Sequence, residues 1–248
     1  MRNEILHGDC LELMKKIPDG IIDMVLCDLP YGTTNCKWDS VMDLDLLWSQ
    51  YKRIVKEEGA IVLFGAEPFS SQLRMSNLKM YKYDWVWDKI KGTGFLNAKK
   101  QPMRNHEFVH VFYRKQCLYN PQMTSGHKRK VSFRAKVHQT GVYGDMGNDN
   151  MYDSTDRYPR SIQEFSSDTQ NSSLHPTQKP VGLIEYLIKT YTNEGDLVLD
   201  NCAGSFTTAI GCINTGRDYI CMEKEKEYFD IGKERIEAHL AQPKLFAI

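Results

Sequence analysis

Two clusters of residues in this chain are suited to group-transfer chemistry. The first, Asp28-Leu29-Pro30-Tyr31-Gly32, follows an apolar run, Ile21 to Cys27, of the kind a buried strand makes. A carboxylate on Asp28 and a rigidly held carbonyl at Leu29 can together accept both protons of an aromatic amine. That draws the nitrogen lone pair out of conjugation and disperses the positive charge that develops as the nitrogen is alkylated. Pro30 fixes the backbone, and Tyr31 offers a flat face to a base. Such stacking is worth about 1–3 kcal/mol, against the few kcal/mol that extruding a base from a duplex costs. The second cluster is Asp200-Asn201-Cys202-Ala203-Gly204-Ser205-Phe206-Thr207-Thr208, with Glu223 about twenty residues further on. Strand, tight loop, helix, strand and acid make an adenosine cradle in which the acid accepts from ribose hydroxyls. Neither GxGxxG nor GxxxxGK[ST] occurs, so the pattern fits an adenosine without phosphates, of which S-adenosylmethionine is one.

Alternating helical and strand patterns supply the frame, as in an α/β sheet with helices on its faces. Cys10 to Ile17 reads as a helix stopped by Pro18-Asp19-Gly20, and Ile21 to Cys27 as the strand ending at Asp28. Leu44 to Lys56 is a second helix, broken at Gly59 before the strand Ala60 to Phe64. Tyr83 to Trp87 and Phe108 to Tyr113 read as further strands. From about 116 to 173 aliphatics thin out and periodicity fails, which marks a variable lobe or loop between a first half, 1–115, and a second half, 174–248. The second half reads as helix Val181 to Tyr191, strand Asp196 to Leu199, helix Thr207 to Asn214, strand Tyr219 to Met222 and helix Glu225 to His239.

The 248 residues suffice for one domain, and no apolar run reaches membrane-span length. The amino-terminal residues lack a secretory core, which points to the cytoplasm. Seven cysteines without a CxxC pair argue against a disulfide framework and a zinc ribbon. His106 and His110 are expected to be surface or core residues, with no metal. Net charge is zero, yet Lys99, Lys100, Arg104, Lys128, Arg129, Lys130 and Arg134 fall in a stretch whose single acid is Glu107. Interleaved with aromatics, these bases are expected to contact the phosphates of double-stranded DNA.

Taken with His175-Pro176-Thr177-Gln178-Lys179-Pro180, the two clusters resemble the β class of amino-group DNA methyltransferases: catalytic tetrapeptide first, target-recognition region in the middle, cofactor loop last. The likeness covers nearly the whole chain, from His7-Gly8-Asp9-Cys10-Leu11 through the Asn97 to Lys115 stretch. It implies a Rossmann-like S-adenosylmethionine-dependent fold, a mixed seven-stranded sheet with helices on both faces and a circularly permuted motif order. It also implies methylation of a flipped base, adenine N6 ahead of cytosine N4 because an aspartate leads the tetrapeptide. Carried over by position, Asp28, Leu29, Pro30 and Tyr31 would be catalytic. Asp9, Cys10, Thr177, Lys179, Asp200, Ala203, Gly204, Ser205 and Glu223 would line the cofactor site, with Asp9 near the adenine. Relatives are often dimeric, which allows a homodimer here, and the residues leave open whether a cognate restriction nuclease exists. Leu29 stands where the family usually has proline, and Phe206 where it often has glycine, so the loop there must avoid positive φ or shift. A catalytically dead nucleic-acid-binding protein is the reading from another class, and the intact acids weigh against it. Glutamine-amide methyltransferases resemble the opposite motif order.

Overall fold

The computed structural model describes residues 1–32, 42–134, 150–166 and 178–242. It divides into two compact units, Met1–Asn120 with Ser161–Ile248, and Pro121–Arg160. The smaller unit lies within the 116–173 segment and contains an antiparallel ribbon.

The larger unit is built on one sheet. In chain order its elements are β1 (Glu4–His7), α1 (Cys10–Met14), β2 (Ile22–Cys27), α2 (Leu44–Ile54), β3 (Val55–Gly65), α3 (Phe69–Ser76), β4 (Tyr81–Thr93) and β5 (Arg104–Phe112). The ribbon of the smaller unit, β6 (Lys130–Arg134) and β7 (Asn150–Ser154), intervenes. The order then continues with β8 (Ile162–Glu164), α4 (Val181–Tyr191), β9 (Leu197–Asp200), α5 (Thr207–Thr215), β10 (Asp218–Glu223) and α6 (Lys226–Ala241). The strands lie in the order β1-β10-β9-β2-β3-β5-β4-β8. From β1 to β3 every pair is parallel, whereas β5 is antiparallel to both β3 and β4.

Burial explains which segments became the central strands. Alternate residues of β2 enter opposite cores, Met24 and Leu26 with α4, α5 and α6 on one face, Val25 and Cys27 with α1, α2 and α3 on the other. A parallel strand covered on both faces must be apolar along its buried run, and Met24–Cys27 of β2, Leu197–Leu199 of β9 and Tyr219–Met222 of β10 are. Asp9 and Asp43 begin α1 and α2 by accepting backbone N–H groups of the first turn.

Two expectations need correction, and one strand had no expectation behind it. The sheet has eight strands and not seven, because Ile162–Glu164 adds a short parallel edge to β4, and Trp87 Nε1 donates to the Phe165 carbonyl beside it. Three residues, two of them exposed, are too few to carry a periodicity that could have announced this strand. Gly59 does not separate helix from strand. The helix ends at Ile54 and β3 runs through the glycine, whose added Cβ would lie 2.9 Å from the Asp23 carbonyl. The segment Glu4–His7 is a strand, too short for its pattern to speak, paired in parallel with β10. No helix among the described residues is long and apolar enough to cross a membrane.

Candidate active site

The carboxyl ends of β2, β9 and β10 lie along one edge, so Asp28, Asp200 and Glu223 share it, as ligand-binding groups do in open α/β sheets. Asp28 follows directly on β2. Its Oδ1 accepts the Tyr31 hydroxyl at 2.6 Å, and its Oδ2 accepts a short bond from the Lys179 ammonium. Tyr31 also stacks on Phe69, centroids 5.1 Å apart, so one ring face is fixed by the protein. Leu29 is buried, 2% exposed, in the core on the α1–α3 face. That anchors the backbone on which its carbonyl sits.

Lys179 reaches across to a second carboxylate. Its Nζ is 3.4 Å from Glu107 Oε2 on β5, while Lys89 on β4 donates a short bond to Glu107 Oε1. Asp28, Lys179, Glu107 and Lys89 therefore form a row of alternating charge, formally neutral as four, which is how ions survive in a shielded place. Lys179 and Glu107 keep only 9% and 13% of their side-chain surface, against 25% for Asp28. Burial works against the Lys179 ammonium, but the two carboxylates facing it hold its pKa above the ordinary lysine value. Burial lifts the Asp28 carboxyl and the Lys179 charge pulls it back, with a net rise. Burial also works against Glu107, whose pKa nevertheless ends below the usual value under the influence of Lys179 and Lys89. Glu107 and Lys89 escaped the sequence reading. Glu107 stood out there only as the lone acid of a basic stretch, a signal that a buried ion pair could have explained.

The second loop runs from Asp200 at the end of β9 to the start of α5. Gly204, with φ 52°, directs its N–H to Glu223 Oε2 at 2.8 Å, and the Glu225 N–H takes the other oxygen at 2.7 Å. Each carboxylate oxygen keeps a second lone pair, so Glu223 can hold the loop and still accept from a ligand hydroxyl. The Ala203 N–H is tied to the Met222 carbonyl, 2.9 Å, and the Gly8 N–H to the Glu223 carbonyl, 3.0 Å. Asp9 therefore starts α1 next to this loop, 3.5 Å from the Lys224 ammonium. Cys10 points into the core below, where its sulfur accepts from Asn201 Nδ2 at 3.6 Å, so it supports the loop from beneath. Asp200 is 5% exposed. Its oxygens accept from Thr208 Oγ1 at 2.5 Å and the Cys202 N–H at 3.2 Å, and burial pushes its carboxyl up to about 7.

Phe206 does take the left-handed backbone, φ 56°, a strained choice for a residue with a Cβ. Its ring is fully buried against Phe229 and over Gly232 of α6. A Cβ at Gly232 would sit 1.8 Å from the ring, so the bare glycine makes room for the phenylalanine. Arg235 of the same helix donates to the Ser205 carbonyl at 2.9 Å.

The two loops meet through adjacent residues. Lys179 binds Asp28, and the neighbouring Gln178 accepts from Ser205 Oγ at 3.4 Å, so one short segment bridges the tetrapeptide and the glycine loop. Thr177 lies outside the described residues. Lys99, Lys100 and Arg104 are exposed on the larger unit. In the smaller unit Lys128, Arg129 and Lys130 are exposed, but one guanidinium edge of Arg129, Nε and Nη2, donates to the two Asp153 oxygens at 2.7 and 2.6 Å. The Arg134 side chain lies outside the described residues. His110 is a core residue, bonded to Asp84 Oδ1 at 2.5 Å and Ser70 Oγ at 2.9 Å.

The family model of the N6/N4 DNA methylases matches residues 22–234, which takes in both loops and the bridging segment. The chain belongs to the DNA methylase family. Type II methyltransferase M.HpaI of Haemophilus parainfluenzae is 26% identical, over 96% of this chain and 75% of that protein. DNA adenine methyltransferase YhdJ of Escherichia coli is 28% identical, over 94% of this methylase and 82% of its own length. Among solved structures, the M1.HpyAVI–SAM complex matches with a TM-score of 0.63 at 24% identity, covering 94% of this chain and 98% of that one. The cytosine-N4-specific PvuII DNA methyltransferase matches with 0.68 at 16% identity, over 100% and 89%. Both establish the methyltransferase fold.

Proposed function

We propose that this methylase transfers a methyl group from S-adenosylmethionine to N6 of adenine in double-stranded DNA at a specific sequence. The observation that carries the reading is the bridge: Asp28 and the Glu223-held glycine loop are tied together through Lys179 and Gln178. The donor set suits the cofactor, since Glu223 presents acceptors for ribose hydroxyls and Gly204 leaves the loop without a side chain to crowd a ligand. When bound, S-adenosylmethionine supplies the methyl as an electrophile on sulfur. Ala203, Ser205, Asp200 and Asp9 would line its site. Two relatives bear on the reading: YhdJ is named a DNA adenine methyltransferase, which supports the base, and M.HpaI a Type II methyltransferase.

The chain's own residues handle the base. The free lone pair of Asp28 Oδ1 and the carbonyl of Leu29 accept the two amine protons, and Lys179 holds the carboxylate so that Oδ1 faces the substrate. Pro30 restrains the backbone between them. The ring face of Tyr31 away from Phe69 receives the extrahelical base. Charge that builds on the amine nitrogen is met by Asp28 in a shielded site. The smaller unit, Pro121–Arg160, would serve target recognition, with Lys128 and Lys130 on phosphates, and the reaction would take place in the cytoplasm.

Incubation with unmethylated plasmid DNA and S-adenosylmethionine, followed by hydrolysis to nucleosides and mass analysis, tests the reading. N6-methyladenine is the expected product. N4-methylcytosine would overturn the choice of base, and an unmodified digest the whole assignment.

A further inference from the structure

Every residue from Ile90 to Asn105 is exposed, in a hairpin arm that reaches back to the larger unit through Arg104, whose Nη2 donates to the Glu67 carbonyl at 3.4 Å. Because the last residue of β3, Gly65, faces Phe108 of β5, and β4 and β5 continue past it, Asp88 facing His106, the arm projects from the carboxyl edge that carries Asp28. Its root is the Lys89–Glu107 pair, which touches Lys179. The catalytic carboxylate and the arm therefore belong to one connected piece.

The arm is built, not slack. Thr93 pairs with Arg104, and the Thr93 hydroxyl donates to the Arg104 carbonyl at 3.0 Å. Gly94 turns at φ 89° into a short 3₁₀ helix, Phe95–Asn97, whose N–H groups and those following bond back at 2.8–3.0 Å. This turn holds Phe95 79% exposed and Leu96 97% exposed, with Ile90 at 59% and Met103 at 41% nearby. Large apolar side chains grouped on so small a tip mark a contact surface. Around them stand Lys91, Lys99, Lys100 and Arg104, with no acid between Asp88 and Glu107.

That charge chooses the occupant. A second copy docking through the same patch would set these bases against their own like, whereas DNA answers them with phosphates. Apolar side chains flanked by bases are what proteins push between base steps to unstack them. We propose that the 90–105 arm is a wedge for duplex DNA: Phe95 and Leu96 enter the stack beside the extruded base, and Lys99, Lys100 and Arg104 grip the flanking phosphates. The inference rests on the reading given above and adds the means by which extrusion is stabilised.

The test uses the full chain with S-adenosylmethionine and the duplex motif mapped on methylated plasmid DNA. A matched oligonucleotide duplex is compared with one whose target base is mismatched. Methyl transfer by the unmodified protein on the matched duplex checks the underlying reading, and variant-to-wild-type ratios check the wedge. The Phe95→Ala/Leu96→Ala variant should melt like the wild type, since both side chains are exposed. It should lose about 10- to 100-fold in kcat/KM on the matched duplex and little on the mismatched one, where extrusion costs less. Lys99→Gln/Lys100→Gln should weaken binding to both duplexes and lower the salt slope by about 2. Equal losses of the apolar variant on both duplexes, or none on either, would overturn the wedge. So would a change of oligomeric state in that variant, since it would assign the tip to a second copy.

Discussion

Asp200→Asn isolates one buried charge beneath the glycine loop. In the fold the carboxyl titrates at about 7, raised by burial from 3.8. At about 1.4 kcal/mol per pK unit, that rise corresponds to a penalty of about 4 kcal/mol for holding the ionised form, an upper limit because the site can relax. The sign follows from the raised value. The folded state binds the proton more tightly than the unfolded chain, so the contribution is whole below pH 3.8 and is lost as pH rises toward and through 7. Asparagine has the same shape, can still accept the Cys202 N–H, and can donate to a reoriented Thr208 hydroxyl. Urea unfolding of both proteins from pH 4 to 8 should therefore give a variant equal to the wild type near pH 4 and more stable near pH 8. The gap should open across the interval and reach roughly 1–3 kcal/mol, part of the full penalty. All other titrating groups cancel in the difference. A pH-independent gap, or a variant less stable at pH 8, would show that burial does not burden this carboxylate.

Asp28→Ala should abolish methyl transfer while calorimetry finds cofactor binding nearly unchanged, because in the proposed mechanism the carboxylate serves the amine; near-normal turnover would remove it from that mechanism. Glu107→Gln takes away one of the two carboxylates that raise the Lys179 pKa, so the alkaline fall in kcat should move to lower pH with little change in KM for DNA. An unmoved pH profile would make Glu107 merely structural. Gly232→Ala drives a methyl into the Phe206 ring and should cost about 1–3 kcal/mol or more, with weaker cofactor binding, as read by thermal melting and calorimetry.

Much of the candidate site was legible in the chain because the chemistry proposed for it is local. A carboxylate with a neighbouring carbonyl and ring, and an acid a fixed distance beyond a glycine loop, are functions of spacing that survive any detail of the fold. The apolar run of β2 likewise had to be a covered strand, and the position of Asp28 at its end followed from the chain order. What the sequence by itself determined, then, was the reaction class and the order of its parts. Only the tertiary structure brought Lys179 onto Asp28 across 151 positions of chain and seated Glu107 and Lys89 behind it, since ion pairing between distant strands leaves no periodic trace. It also decided Phe206: the cost of its left-handed backbone is offset by a ring seated on Gly232, a contact between loop and terminal helix that neither segment announces. Spacing encodes what neighbours in sequence can do together, and folding alone decides which distant charges share a shielded place.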